Sequence, residues 1–254
     1  MRALVITQDD PFYLPQAIPD LFDGIERRHE IIGCILLSAS PFGKRERFLR
    51  KALKTWQIFG SWFFLRYGVR FLQEKIFFPN AMERVFRSRG VPVIRLSQSI
   101  NAKASLDQIS SLAPDVLISI AGNEIFKRPL IDLAPNGCLN LHSAILPKYR
   151  GLMPTFWVLR FGESRTGVSV FLVDEGIDSG PIVVQEAVDI GCKTQEQLIR
   201  ETKKIGMQSI AAAMDILESQ APTFLENNAA DATYFGFPTA DDVKAFKQAG
   251  AKFF

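Results

Sequence analysis

Asn140 and His142 stand two residues apart at the head of the run Asn-Leu-His-Ser-Ala-Ile-Leu-Pro-Lys-Tyr-Arg-Gly. In an extended segment, residues i and i+2 share a face, so the amide and the imidazole point the same way. An amide N–H suits a carbonyl oxygen as it gains negative charge. An imidazole polarises such an oxygen or relays a proton. Together they suit an acyl-transfer centre. A second run, from Thr166 to Ile182, carries Asp174, Glu175 and Asp178 in one loop between two apolar segments. Taken singly, the first pair equally describes a hydrogen-bonded histidine at a strand end. The second equally describes a solvated acidic turn whose Gly176 and Gly180 permit its backbone angles.

The elements that must position these groups alternate between strand and helix, which predicts an α/β fold with a mostly parallel sheet covered by helices. Strands are expected at 2–7, 31–37, 91–95, 116–120 and 138–142. Their cores, such as Leu4-Val5-Ile6 and Val116-Leu117-Ile118, are apolar and β-branched, as in strands buried on both faces. Helices are expected at 15–27, 81–88, 104–112 and 125–133. Two later strands, 168–173 and 182–188, flank the acidic turn. Thr194 and Gln197 have capping-box spacing and open a closing helix, and Thr239 can cap a last short helix ending at Gly250. Asn140 and His142 then lie at the carboxyl end of a strand, where open α/β sheets bind ligands.

The chain has 254 residues, enough for one large domain and a sizeable core. We divide it into a main domain over 1–220, with an insert at about 42–79, and a short extension over 221–254 that is no separate domain. Apolar residues make up 47% and charged residues 22%, a globular balance that argues against disorder. A net charge of +3 points to no polyanionic partner. Cys34, Cys138 and Cys192 form no ligand or disulfide spacing, and His29 and His142 are too few for a multi-histidine metal site. No metal and a reducing, cytoplasmic setting are expected.

The segment 44–75 departs from this pattern. It holds nine Lys and Arg against Glu46 and Glu74, with Phe48, Trp56, Phe59, Trp62, Phe63, Phe64, Tyr67 and Phe71 interleaved. Its uncharged stretch, residues 55–65, is too short to span a bilayer. Three readings stay open: a helical hairpin packed on the body, an interfacial helix on an anionic membrane, and a nucleic-acid face.

The two chemistry-bearing runs, in this order and at this spacing, resemble the folate-dependent formyltransferase family. Asn-x-His followed by Leu-Pro-x-Tyr-x-Gly spans Asn140 to Gly151. A Pro-x-x-Trp helix and Gly-Glu fall at Pro154, Trp157, Gly162 and Glu163. Thr-Gly-Val-x-Val begins at Thr166, and Asp-x-Gly-Pro-Ile spans Asp178 to Ile182. The resemblance runs from about 114 to 185 and implies the Rossmann-like fold of that family's N-terminal domain. It implies a catalytic triad of Asn140, His142 and Asp178, and 10-formyltetrahydrofolate as donor, without a metal. The pterin would lie between loops 121–126 and 173–178. Asn123, Glu124, Ile125, Phe126, Val173, Glu175 and Ile177 would line it, largely through backbone groups. Three features depart from the family pattern. Ser143-Ala144 follows the histidine where the family often has Pro-Ser or Gly-Ser. Glu124 stands where the purine-pathway branch has Arg. Gln8-Asp9-Asp10-Pro11 replaces that branch's Gly-rich phosphate loop after the first strand.

The acceptor is reached by elimination within the family. The tRNA-formylating branch carries a further C-terminal domain, and about 35 residues follow the closing helix here, which weakens tRNA as a partner. The absent phosphate loop weakens glycinamide ribonucleotide. An amino sugar, nucleotide-linked and used in surface polysaccharide synthesis, is the expected acceptor. A catalytically idle folate-binding relative, a homodimer, and a peripheral position at the inner membrane face through 44–75 are further expectations.

Overall fold

The computed structural model describes residues 1–25, 28–37 and 48–254, with Phe48 described for its backbone only. The charged residues at 44–47, at the start of the basic segment, and the expected helix end at Arg27 lie outside the described residues.

Strand β1 (Arg2–Gln8) runs between β2 (Glu30–Leu37) and β4 (Val116–Ile120), and β3 (Val93–Ile94) and β5 (Cys138–His142) extend the sheet on either side. All four of these pairings are parallel. Two antiparallel strands, β7 (Arg165–Leu172) and β8 (Ile182–Asp189), complete a seven-stranded sheet in the order β3-β2-β1-β4-β5-β7-β8. Because strand order reverses between β1 and β4, a crevice forms outside their carboxyl ends.

The buried strands are apolar on both faces because helices cover both. Ala3 and Val5 pack under α1 (Leu14–Ile25), α4 (Ala81–Ser88) and α8 (Gln195–Leu217), against Ile18, Leu21, Phe86 and Met207. Leu4 and Ile6 point the other way, toward Ile109 of α5 (Lys103–Ser111) and Leu130 of α6 (Arg128–Ile131). The expected helix at 125–133 shortens to these four residues. Pro129 suits only the first turn, and Pro135 lies just beyond. The expected strand at 91–95 shortens to its two central residues.

A third core, largely aromatic, joins α7 (Pro154–Arg160), α9 (Ala240–Gln248) and the basic segment. That segment forms a helical hairpin, α2 (Phe48–Phe59) and α3 (Ser61–Phe77). Its rings divide between two directions. Phe63 stacks on Phe59 and Tyr67 and meets Phe253, and Tyr67 and Phe71 lie on Phe12. Trp56, Trp62 and Phe64 are exposed. No described helix is long and apolar enough to cross a membrane.

The expected capping box at Thr194 forms, and Thr239, expected as a cap, closes a second one with Asp242. Gln197 N–H donates to Thr194 Oγ1 (3.3 Å) and Thr194 N–H to Gln197 Oε1 (2.8 Å). Asp242 N–H donates to Thr239 Oγ1 (3.3 Å) and Thr239 N–H to Asp242 Oδ2 (2.9 Å). The segment 221–254 is integrated into the body. Its β9 (Tyr234–Phe235) pairs in parallel with β6 (Arg150–Gly151), and α9 inserts Phe246 against Phe156.

Candidate active site

Period-two alternation puts Asn140 and His142 on one face of β5, at its carboxyl end. Across the strand, His142 pairs with Ser169 of β7. The His142 side chain is buried, and each ring nitrogen faces an acceptor. Nε2 lies 2.7 Å from the carbonyl oxygen of Tyr149 and must donate there, since a carbonyl only accepts. Nδ1 lies 3.5 Å from Asp178 Oδ2. The arrangement therefore accommodates a proton on each nitrogen. The Asn140 amide, half-buried beside it, makes no hydrogen bond to any described residue and is free to serve a ligand.

Asp178 reaches His142 because the loop between β7 and β8 folds back over the end of β5. Its Oδ2 also accepts the Gly151 N–H at 2.7 Å, so one oxygen serves both the histidine and the neighbouring loop. Asn227 clamps the turn from the far side, donating through Nδ2 to the carbonyls of Asp178 (2.9 Å) and Gly180 (2.8 Å). Arg150 in turn donates to Asn227 Oδ1 at 2.7 Å. Gly180 is required by proximity: a Cβ there would stand 1.8 Å from the Leu172 carbonyl oxygen. Gly151 combines a φ of 95° with a would-be Cβ 2.3 Å from the Phe235 oxygen.

Six described residues other than glycine have positive φ, and four of them, Ala121, Tyr149, Met153 and Asp178, lie in the loops around this end of the sheet. Each costs about 1–2 kcal/mol. Hydrogen bonds brace the loop that leads from His142 to Tyr149. Ser169 Oγ donates to the Ala144 carbonyl (2.7 Å) and accepts from Leu146 N–H (3.1 Å), while Gln185 Nε2 donates to the Leu146 carbonyl (3.0 Å). Thr233 Oγ1 accepts the Tyr149 N–H at 2.8 Å. Tyr149 donates its hydroxyl to Glu163 at 2.5 Å. Burial first, then the hydrogen bond and charge of Glu163, push its phenol well above the usual range.

The other residues assigned from sequence flank this group. In loop 121–126 the Glu124 carboxylate accepts from Ser99 Oγ (2.6 Å) and Ile100 N–H (3.2 Å), and the Phe126 ring belongs to the core under β4. What these two leave for a ligand is backbone. Ile125 is exposed, and its carbonyl accepts from Asn101 Nδ2 at 2.9 Å. Asn123 is half-exposed in the same loop. In the facing loop Val173 is half-buried, while Glu175 and Ile177 are exposed. Asp174 caps its own turn, accepting from Gly176 N–H (3.0 Å) and Ser179 Oγ (2.6 Å). Sequence reasoning did not single out Ser169, Gln185, Asn227 or Thr233. All four are polar residues without a spacing signal, and Asn227 and Thr233 come from the weakly periodic C-terminal segment.

The N-terminus of α1 is occupied by the chain itself. Asp10 accepts from Phe12 N–H (2.9 Å), Tyr13 N–H (3.1 Å) and Leu14 N–H (3.0 Å). These are the amides that would otherwise face an anion. Burial pushes the Lys203 ammonium below its usual range, against the opposing pull of Asp10.

The profile of the family described as formyl transferase matches residues 79–214, more than half of the chain and all three members of the Asn140–His142–Asp178 group. A methionyl-tRNA formyltransferase of Kosmotoga olearia is 39% identical over 112 residues, covering 44% of this chain and 36% of the relative. That of Alkaliphilus oremlandii is 26% identical over 226 residues, covering 89% of this chain and 63% of the relative. The chain thus spans between about a third and under two thirds of these relatives' lengths. Among solved structures, an N-formyltransferase from Helicobacter canadensis in complex with folinic acid and dTDP-3-aminofucose superposes with a TM-score of 0.58. It is 15% identical and covers 98% of this chain and 80% of its own, a likeness of fold. Motif order, sheet topology and the matched profile agree, and the chain belongs to the formyl transferase family.

Proposed function

We propose that this chain transfers a formyl group from 10-formyltetrahydrofolate to the primary amine of a nucleotide-linked amino sugar. The observation that carries formyl transfer is the placement of His142 between the Tyr149 carbonyl and Asp178, with the uncommitted Asn140 amide on the same strand face. In this reading the amine attacks the formyl carbon and the formyl oxygen gains negative charge. Asn140 donates to that oxygen. The His142–Asp178 pair relays the proton that the attacking amine loses to the folate nitrogen as the carbon–nitrogen bond to the carrier breaks, so that tetrahydrofolate leaves neutral at that nitrogen. Carbonyls and amides of loops 121–126 and 173–178 hold the pterin.

The sugar acceptor draws support from the self-capped N-terminus of α1. The purine-pathway branch binds a phosphate after its first strand, whereas here Asp10 fills those amides with a carboxylate. The Helicobacter canadensis likeness, whose ligands are folinic acid and an amino-sugar nucleotide, fits the same reading. A second reading, formylation of methionyl-tRNA, is favoured by the names of the relatives above. Either reaction belongs in the cytoplasm, and a peripheral position at the inner face of a membrane is compatible with both.

The test offers purified protein 10-formyltetrahydrofolate with a panel of nucleotide-linked amino sugars, with methionyl-tRNA and with glycinamide ribonucleotide. Tetrahydrofolate release is followed by absorbance and the formylated product by mass. An N-formyl sugar nucleotide is the expected product. Turnover with methionyl-tRNA alone would overturn the sugar assignment, and no turnover with any amine would overturn formyl transfer.

A further inference from the structure

We propose that the α2–α3 hairpin lays its outer face on an anionic lipid surface. Trp62, Leu65, Val69, Leu72 and Ile76 recur at intervals of three and four, so they form one stripe along α3. All five side chains are exposed, Trp62 to 73%. The opposite face of the same helix, with Phe63, Tyr67, Arg70 and Phe71, is the one docked on the body through Phe12, Phe253 and Glu196. A surface helix ordinarily turns polar residues outward once its apolar face is buried. Here the outward face is apolar as well. Leu49, Leu53 and Trp56, spaced four and three apart along α2, are exposed as well, as are Phe77 and Phe78 at the far end of α3.

Charge chooses the occupant. Arg50, Lys51, Lys54, Arg66 and Lys75 lie on the two helices, Arg70 being turned to the body and paired with Glu196, and the only acid on the two helices is Glu74, half-buried on the body side of α3. Beside Trp62, at the N-terminal end of the stripe, opens a cleft of about 500 Å³. Its lining includes Arg66, Lys247 and Lys252 and contains no Asp or Glu side chain. A second copy docking through this face would bring the same cations against one another. Anionic headgroups complement them, while the stripe enters the boundary between headgroups and acyl chains. Helix α3 lies along the surface, since no described helix is long and apolar enough to cross a membrane. Aromatic contacts from Phe63 through Phe253, Phe246, Phe156 and Trp157 to Phe235 and Tyr149 tie the hairpin to the loop that holds His142, so docking would fix the orientation of the catalytic body.

The tryptophans give a readout without mutation. Of the three in the chain, Trp56 and Trp62 are on the hairpin and exposed, and Trp157 is buried. Whole protein is mixed with vesicles of phosphatidylcholine alone or with phosphatidylglycerol added, some carrying brominated acyl chains. Expected are co-sedimentation with the anionic vesicles only, weakened at least about tenfold by raised salt, a blue shift of the emission, and quenching by the brominated lipid. Leu65→Gln with Leu72→Gln, two exposed positions, should abolish binding while leaving the melting temperature and the solution formyl-transfer rate unchanged. Should that variant unfold, the wild-type emission still decides. Unchanged emission with protein left in the supernatant overturns the proposal, and so does equal binding to neutral vesicles. Light scattering that shows a dimer, converted to monomer by the same two changes and indifferent to vesicles, would assign the stripe to a second copy instead.

Discussion

Asp178→Asn isolates charge from shape at the proposed centre. Asp178 has a φ of 49°, a left-handed conformation in which Asn is the best-tolerated side chain after Gly. The amide oxygen of Asn can still accept the Gly151 N–H, so the turn should keep its geometry. What disappears is a negative charge 3.5 Å from His142 Nδ1, with the two side chains only 6% and 13% exposed. Two full charges at that distance attract by about 5 kcal/mol at an effective dielectric near 20. The imidazole carries only part of a charge during transfer, so about 3 kcal/mol is lost from the transition state, roughly two orders of magnitude in rate. Steady-state turnover with the formyl donor, beside a binding titration with a folate analogue, makes the comparison. Turnover should fall by about two orders of magnitude with folate affinity largely kept. A variant within about threefold of wild type would refute the assigned role of Asp178.

Three further outcomes follow from the same geometry. Gly180→Ala places a Cβ against the Leu172 carbonyl, so the backbone must shift, and the denaturation midpoint should drop by the equivalent of about 3 kcal/mol. Asn227→Ala frees the carbonyls of Asp178 and Gly180; it should cost about 1–3 kcal/mol in chemical denaturation and lower turnover, making the C-terminal segment part of the site. Asp242→Asn tests the cap of α9. Burial pushes the Asp242 carboxyl up, but hydrogen bonds from the Thr239 backbone and hydroxyl, with the charge of Arg160, outweigh burial and hold it below its usual range. A depressed folded value means stability that is present above the unfolded carboxylate range and lost as pH falls through the folded one. The stability gap between wild type and variant should therefore be constant near neutrality and shrink below about pH 4 in urea titrations.

The sequence alone determined whatever rests on local periodicity and local hydrogen bonding. Runs such as Leu4-Val5-Ile6 announce a strand covered on both faces, and Thr194 and Thr239 announce helix starts, because three-residue spacing is enough to close a capping box. Alternation along β5 places Asn140 and His142 on one side, and motif order identifies the family. Tertiary structure alone decided which distant groups meet. The antiparallel β5–β7–β8 edge brings Asp178 to His142, the chain's own Tyr149 carbonyl takes the other ring nitrogen, and Asn227 arrives from the C-terminal segment. Of these partners the sequence pointed to Asp178 alone, through the family motif; neither the Tyr149 carbonyl nor Asn227 has a spacing that a local pattern can register. Helix α3 shows the limit most clearly. Its sequence is apolar on two faces, so periodicity reveals both and chooses neither. Only the aromatic cleft offered by Phe12, Phe59 and Phe253 turns Phe63 and Tyr67 inward and leaves Trp62 and Leu65 outside.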